Sequence, residues 1–178
     1  MVLAAVIALL ISATAPPQEP LSLEEWEACA IGTSDKCMIS REAENWRTCM
    51  ESVSPAREPV AWEKCEVTAF PECYPQEAPE DAFYLLRLCS EKQVVATRQI
   101  AEIWIAALGP LVGPDGKDFL ATLVPTTEAR ANEDIVGEPW RATAHRSGTW
   151  RALLGPLALI REGVLTDGKS FSEMRPYD

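Results

Sequence analysis

Chemistry-bearing strings are absent from this chain. It has one histidine, His145, and contains no G-x-G-x-x-G, Walker A, H-E-x-x-H or C-x-x-C-H string, so no nucleotide, zinc-protease or haem site is expected from local sequence. His145 sits beside Arg146 and Ser147 with no nucleophile and partner base around it, and is read as an exposed, idle side chain. Basic residues are few: 16 Lys and Arg against 27 Asp and Glu give a net charge of -11 and a pI near 4.6. That excludes the clustered cationic surface a nucleic-acid binder needs. No apolar run reaches the about 20 residues of a membrane-spanning helix. Close cysteine pairs are missing too. The six cysteines are spaced 8, 12, 16, 8 and 16 apart, whereas a zinc or iron–sulfur site normally draws two thiolates from one turn. No catalytic, cofactor-binding or metal-binding residue is therefore assigned, and no cofactor is expected.

What is present is a duplication. Trp26-Glu27-Ala28-Cys29-Ala30-Ile31 followed by Cys37 returns 36 residues later as Trp62-Glu63-Lys64-Cys65-Glu66-Val67 followed by Cys73, and Cys49 and Cys89 close the two copies. The apolar stretch Met1–Ala15 ends in Ala13-Thr14-Ala15, the small-x-small pattern of an export signal. Six cysteines behind such a segment fit disulfides in an oxidising compartment, periplasmic or secreted. With three cysteines per copy, full pairing needs at least one bridge between copies. The most symmetric pairing is Cys29–Cys37, Cys65–Cys73 and Cys49–Cys89. Eight residues of unbroken helix would hold two sulfurs about 12 Å apart, but Gly32 and Pro71 break the helix in the two copies. Trp26, Trp46 and Trp62 each lie three residues before a cysteine, which suits an indole packed on a disulfide; a carbohydrate platform is the functional alternative.

Periodicity predicts an all-α chain. Ser22 and Glu25 form a capping box before Trp26. A second amphipathic segment runs from about Cys37 to Met50, and a short helix surrounds Trp62 to Val67. No Gly or Pro interrupts the stretch from Glu80 to Leu108, which predicts a helix of about 40 Å. Its apolar stripe runs through Leu86, Cys89, Ala96, Ile100, Ile103 and Ala107, widened by Phe83, Leu85 and Trp104, with Gln93 as the one polar break. Cys89 would tie this helix covalently to the acidic module.

A second duplication follows. Trp104 to Leu111 returns as Trp150 to Leu157, each ending Leu-Gly-Pro-Leu, and each is followed by Asp-Gly-Lys-x-Phe, at Asp115–Phe119 and Asp167–Phe171. Leu-Gly-Pro-Leu predicts a helix stop with glycine in the left-handed position, and Asp-Gly predicts a turn. Thr126-Thr127-Glu128 and Glu138-Pro139-Trp140 read as two further helix starts divided at Gly137. The organisation expected is a signal peptide (1–15), a proline-rich spacer (16–21) and a single disulfide-stabilised helical domain (22–169). The domain comprises a duplicated acidic module (22–79) and a helical part forming a small bundle (80–169), and a frayed tail (170–178) follows.

Charge is concentrated in the first half: residues 16–79 hold 13 acids against 5 bases, residues 80–178 hold 14 against 11. Glu24, Glu25, Glu27, Asp35, Glu42 and Glu44 are most simply a solvated face, and their sharper reading is a docking patch for a cationic protein. Cys29-Ala30-Ile31-Gly32 to Cys37-Met38, with the spacing of Cys65, Cys73 and Cys89, resembles the cysteine-rich N-terminal part of LprI-type lysozyme inhibitors over about residues 25–110. The resemblance implies an exported, disulfide-bonded helical protein with lysozyme as a partner. Two strings of that family are missing, Trp-Asp-x-x-Leu-Asn and Gln-x-x-Trp. The functional expectation is a non-catalytic binding protein of the periplasm or cell surface, without a transmembrane segment in the mature chain. The alternative is a structural, envelope-assembly protein that self-associates through its duplicated helix stops. A cell-wall hydrolase would require a carboxylate pair in a cleft.

Overall fold

The computed structural model describes residues 21–31, 41–77, 79–133 and 139–174. Those residues form six α-helices, α1 (Leu23–Ala30), α2 (Arg41–Ser52), α3 (Pro59–Ala69), α4 (Ala82–Leu108), α5 (Pro114–Ala131) and α6 (Pro139–Leu165), with 3-10 turns at Pro71–Cys73 and Phe171–Met174. No strand occurs among the described residues, so the all-α expectation holds. The export signal, most of the spacer, Asp35, Cys37 and Gly137 lie outside the described residues.

Local chemistry explains most helix starts. At α1 the capping box forms: Ser22 N–H donates to Glu25 Oε2 at 3.0 Å and Glu25 N–H to Ser22 Oγ at 3.3 Å. Helices α3, α5 and α6 begin on a proline, which suits a position whose N–H would have no partner. Asp81 caps α4 by accepting from Tyr84 N–H at 2.8 Å.

The long helix α4 is the axis of the fold. It packs against α6 most extensively and also against α1, α2 and α5. All five residues from Gln93 to Thr97 are buried, so neighbours surround the middle of the helix rather than lining one stripe. Trp104, Ile100, Val94 and Leu108 join Trp150, Leu154 and Leu157 of α6 in one core. Each such burial is worth roughly 1.5–3 kcal/mol for an aliphatic side chain. The predicted stripe is only partly buried: Phe83, Leu86 and Ala107 are exposed, while Trp104 and Leu108 in the last turns are buried.

The disulfides differ from the symmetric pairing. Cys49 bonds Cys65 and Cys73 bonds Cys89, each across 16 residues with Cα atoms 5.5 and 5.7 Å apart. The first bridge crosses between copies and pins α2 to α3; the second anchors the turn after α3 to α4, the covalent tie expected of Cys89. The expected Cys65–Cys73 and Cys49–Cys89 bridges are therefore not formed: α3 holds Cys65 against α2, and the turn at Cys73 lies against α4. Cys29 is also disulfide-bonded, and its expected partner Cys37 lies outside the described residues.

Three C-terminal expectations are corrected. Leu-Gly-Pro-Leu ends α4, but Gly109 has right-handed φ and ψ of -50° and -40° rather than a left-handed conformation. The second copy is no stop, since α6 runs through Gly155 and Pro156 to Leu165. Likewise α5 starts at Pro114 rather than near Thr126, so the first Asp-Gly-Lys lies in a helical turn. The expected start at Pro139 is where α6 begins. Part of the tail is ordered into the core: Phe171 is buried and tilts against Phe119 with centroids 5.5 Å apart.

Candidate functional site

The predicted acidic patch is partly spent on the fold. Glu25 is held in the capping box, and Glu27 is ion-paired to Arg87 of α4. Glu24 and Glu44 are exposed and Glu42 is half-buried; Asp35 lies outside the described residues. Helices α1 and α2 each dock on α4. The tryptophans are core rather than platform: Trp26 and Trp46 are buried, Trp46 meets Phe70 edge-on at 5.5 Å, and Trp62 is half-buried against the same core.

A buried polar knot that the sequence did not announce joins the acidic module to the bundle. Glu66 of α3, which is buried, accepts from Tyr74 Oη at 2.6 Å and from Gln93 Nε2 at 2.7 Å, and is ion-paired with Arg151 Nη2 at 2.6 Å. Ser147 Oγ completes it by donating to Gln93 Oε1 at 3.1 Å. The polar break in α4 is thus a satisfied hinge-point of three helices, as a buried amide must be. Burial, reinforced by the neighbouring Glu66 carboxylate, pushes the Tyr74 hydroxyl up to about 12, with Arg151 opposing. One signal could have found the knot: Glu66 stands where the first cysteine copy has Ala30, and Arg151 where the first Leu-Gly-Pro-Leu copy has Ile105.

A second buried pair, Glu91 with Arg146 at 3.2 Å and Thr143 Oγ1 at 3.4 Å, joins α4 to α6. Burial raises the Glu91 carboxyl above its ordinary range, and Arg146 works against that shift.

Around the first knot the surface opens into a recess of about 440 Å³. Its walls are mostly apolar, from Pro79, Ala82, Leu85, Leu86, Ala144 and Gly148, and its polar members are Ser90 and the knot residues Tyr74, Gln93, Ser147 and Arg151. Two exposed side chains line it, Leu86 at 46% and Tyr74 at 41%. Ser147 Oγ, at the floor of the recess, is engaged by the Gln93 amide.

A smaller hollow of about 230 Å³ gathers Glu51, Glu58 and Glu162 with Arg57, Arg161 and Trp104. It is where a carboxylate pair would be sought. Both Glu51 oxygens accept from Arg47 at 3.0 Å, and Oε1 also accepts from Trp104 Nε1 at 2.7 Å. Glu162 Oε1 accepts from Ser54 Oγ at 2.5 Å. These contacts clasp α2, α4 and α6 together. His145 Nε2 lies 2.9 Å from the Arg130 carbonyl and joins α6 to α5, correcting its reading as idle. Among the described residues no group of three His, Cys, Asp or Glu side chains is arranged to hold a metal ion, and no helix is long and apolar enough to cross a membrane. No protein-family model, curated protein or solved structure matches the chain.

Proposed function

We propose that the protein is an exported, non-catalytic binding protein of the periplasm or cell surface that engages a cationic protein partner through its acidic N-terminal module. The observation that carries this reading is the charge left after internal pairing. Glu27, Glu72, Glu66 and Glu51 are paired with Arg87, Lys92, Arg151 and Arg161 of the helical part, and Arg57 of the module with Glu162 and Asp167. Glu24, Glu44, Glu63 and Glu77 remain exposed without an ion pair to a described residue. These acids outnumber the exposed cations Arg41 and Lys64 of the module, and among the described residues they leave it a negative face. Such a face steers a positively charged partner and sets its orientation. Disulfides support the export reading, since these bonds persist in oxidising compartments. Lysozyme is a suitable cationic test partner, consistent with the resemblance of the cysteine spacing.

Titration of lysozyme binding against salt tests the reading. Affinity should fall steeply as the screening length shortens from about 10 Å at 0.1 M to about 3 Å at 1 M. Glu24→Lys with Glu44→Lys should weaken it further, because neither side chain holds the fold together. Absent or salt-insensitive binding would count against the proposal. Self-association is the second reading, favoured by the exposure of Leu111, Leu159 and Leu165; a stable oligomer in sedimentation that ignores lysozyme would support it instead.

A further inference from the structure

We propose that the recess between α4 and α6 is a small-molecule site, and that it takes an uncharged, mostly apolar compound whose hydrogen-bonding oxygen settles on Ser90. This site goes beyond the acidic docking face described above and does not depend on it. Ser90 is the residue that points to a ligand. It lines the recess, it is only 5% exposed, and its hydroxyl makes no hydrogen bond to a described residue. The oxygen is open to the hollow rather than sealed in the core. A hydroxyl within a helix commonly donates to the carbonyl one turn back, as Thr68 does to Lys64 at 3.0 Å. Ser90 instead keeps its donor for whatever fills the recess.

The other polar groups of the lining are already engaged with one another. Tyr74 Oη and Gln93 Nε2 donate to Glu66, Gln93 Oε1 accepts from Ser147, and Arg151 is ion-paired with Glu66 at 2.6 Å. Ser90 is the hydroxyl donor left over, so the group it recognises is an acceptor oxygen. Arg151 is also the one charged side chain in the lining, and Glu66 neutralises it. Charges of both signs stay outside the hollow. Arg141 stands on the same face of α6, one turn before Ala144, but is exposed with its guanidinium 5.6 Å from the Trp140 ring; Glu80 and Asp81, just before α4, are exposed as well. None of the three lines the recess. The interior thus offers no net charge to hold an ion, and bringing one in would cost its hydration. Pro79, Leu85, Leu86 and Ala144 supply apolar cover for the body of the ligand. A volume of about 440 Å³ falls within the roughly 300–1,000 Å³ of small-molecule pockets. The floor is fixed beforehand, because the Cys73–Cys89 bridge lies in the lining and the Glu66 knot holds Gln93 and Arg151, so binding has little left to order.

The test is a heteronuclear NMR titration of the full chain, followed amide by amide, with octan-1-ol, cyclohexanol, octanoate and octylammonium. At least one of the neutral alcohols should give saturable shifts centred on Leu86, Ser90 and Gly148, and both ions should bind about tenfold more weakly or worse than octan-1-ol. Ser90→Ala should weaken alcohol binding about three- to tenfold without lowering the melting temperature, since the hydroxyl has no bond within the fold to lose. Gly148→Leu and Ala144→Leu fill the hollow instead. A Cβ at Gly148 meets nothing within 4 Å, and glycine is the poorer helix former. Gly148→Leu should therefore hold or raise the melting temperature while alcohol binding is lost, an outcome that misfolding does not produce. Glu24→Lys with Glu44→Lys should leave alcohol binding unchanged, which keeps this site separable from the acidic face. Shifts that never saturate for either alcohol, or that centre on Leu111, Leu159 and Leu165, overturn the proposal. So does octanoate or octylammonium binding as tightly as octan-1-ol, unchanged affinity in Ser90→Ala, or undiminished binding in both leucine variants.

Discussion

Trp104 to Leu111 and Trp150 to Leu157 carry nearly the same eight residues, yet α4 stops inside the first and α6 passes straight through the second. Both tryptophans are buried in the same core, so the two strings begin alike. They part after the proline. Beyond Pro110, Leu111 is exposed, and Gly113-Pro114 offers a fresh helix start that lets α5 fold back on α6. Beyond Pro156, Leu157, Ala158 and Ile160 are buried, so continuing the helix keeps apolar surface out of water. Pro156 has no N–H for the Ala152 carbonyl, but Ala152 is exposed and water can serve that oxygen. Burial of Leu157, Ala158 and Ile160 outweighs the helix-breaking residue in one copy, whereas in the other Val112 is buried by a turn that needs no continued helix. A proline is a local cost, and its tertiary surroundings decide whether the chain accepts it.

The largest effect on this contrast should come from the prolines themselves. Pro156→Ala restores a mid-helix hydrogen bond and should stabilise the protein by as much as about 3 kcal/mol, whereas Pro110→Ala should change stability little. Urea denaturation of the two variants measures both, and equal effects would mean that α6 is not continuous in solution. The glycines of the two Asp-Gly-Lys strings should come next. Gly116 is helical, and a Cβ there would lie 2.6 Å from Val112 Cβ and 3.0 Å from Phe171; Gly168 has φ of +64° with open space around it. Gly116→Ala should cost about 1–3 kcal/mol through overpacking, and Gly168→Ala about 1 kcal/mol through its dihedral. Asparagine, which tolerates left-handed backbone, should rescue position 168 and not 116. A shared response to asparagine would erase the distinction.

The smallest effect concerns the position where the strings differ, Ile105 against Arg151. Folded Tyr74 titrates near 12 and an unfolded tyrosine near 10. The neutral hydroxyl is favoured in the folded state, so this contribution is intact below pH 10 and lost as pH rises toward 12. Tyr74→Phe should remove that part of the alkaline loss of stability. Arg151→Ile, which makes the strings match, removes a cation that lowers the Tyr74 value and should move tyrosinate absorbance to still higher pH. An unmoved titration would separate Arg151 from the knot.

Much of the architecture was legible in the residues. The capping box at Ser22, the uninterrupted stretch ending at Leu108 and the stapling of that helix by Cys89 follow from short-range chemistry, which operates wherever the chain goes. The candidate site was legible only in fragments. Gln93 showed as a polar break in an apolar face, without its partners. Glu66 and Arg151 showed as departures from two internal repeats, 85 residues apart, with nothing to say that they meet. Acids counted as surface, Glu25 and Glu27, proved to be a cap and an ion pair, because only packing of α1 on α4 brings Arg87 to Glu27.

The sequence by itself determined the helical class, the helix starts at capping residues and prolines, the acidic bias of the first half and the need for a bridge between the cysteine copies. Each depends on neighbours within about one turn or on simple counting. The tertiary structure alone decided which cysteines pair, which Leu-Gly-Pro-Leu ends a helix, and which polar side chains meet around Glu66. Those outcomes depend on apolar burial and on polar groups finding partners across α3, α4 and α6, and sequence spacing does not measure either distance.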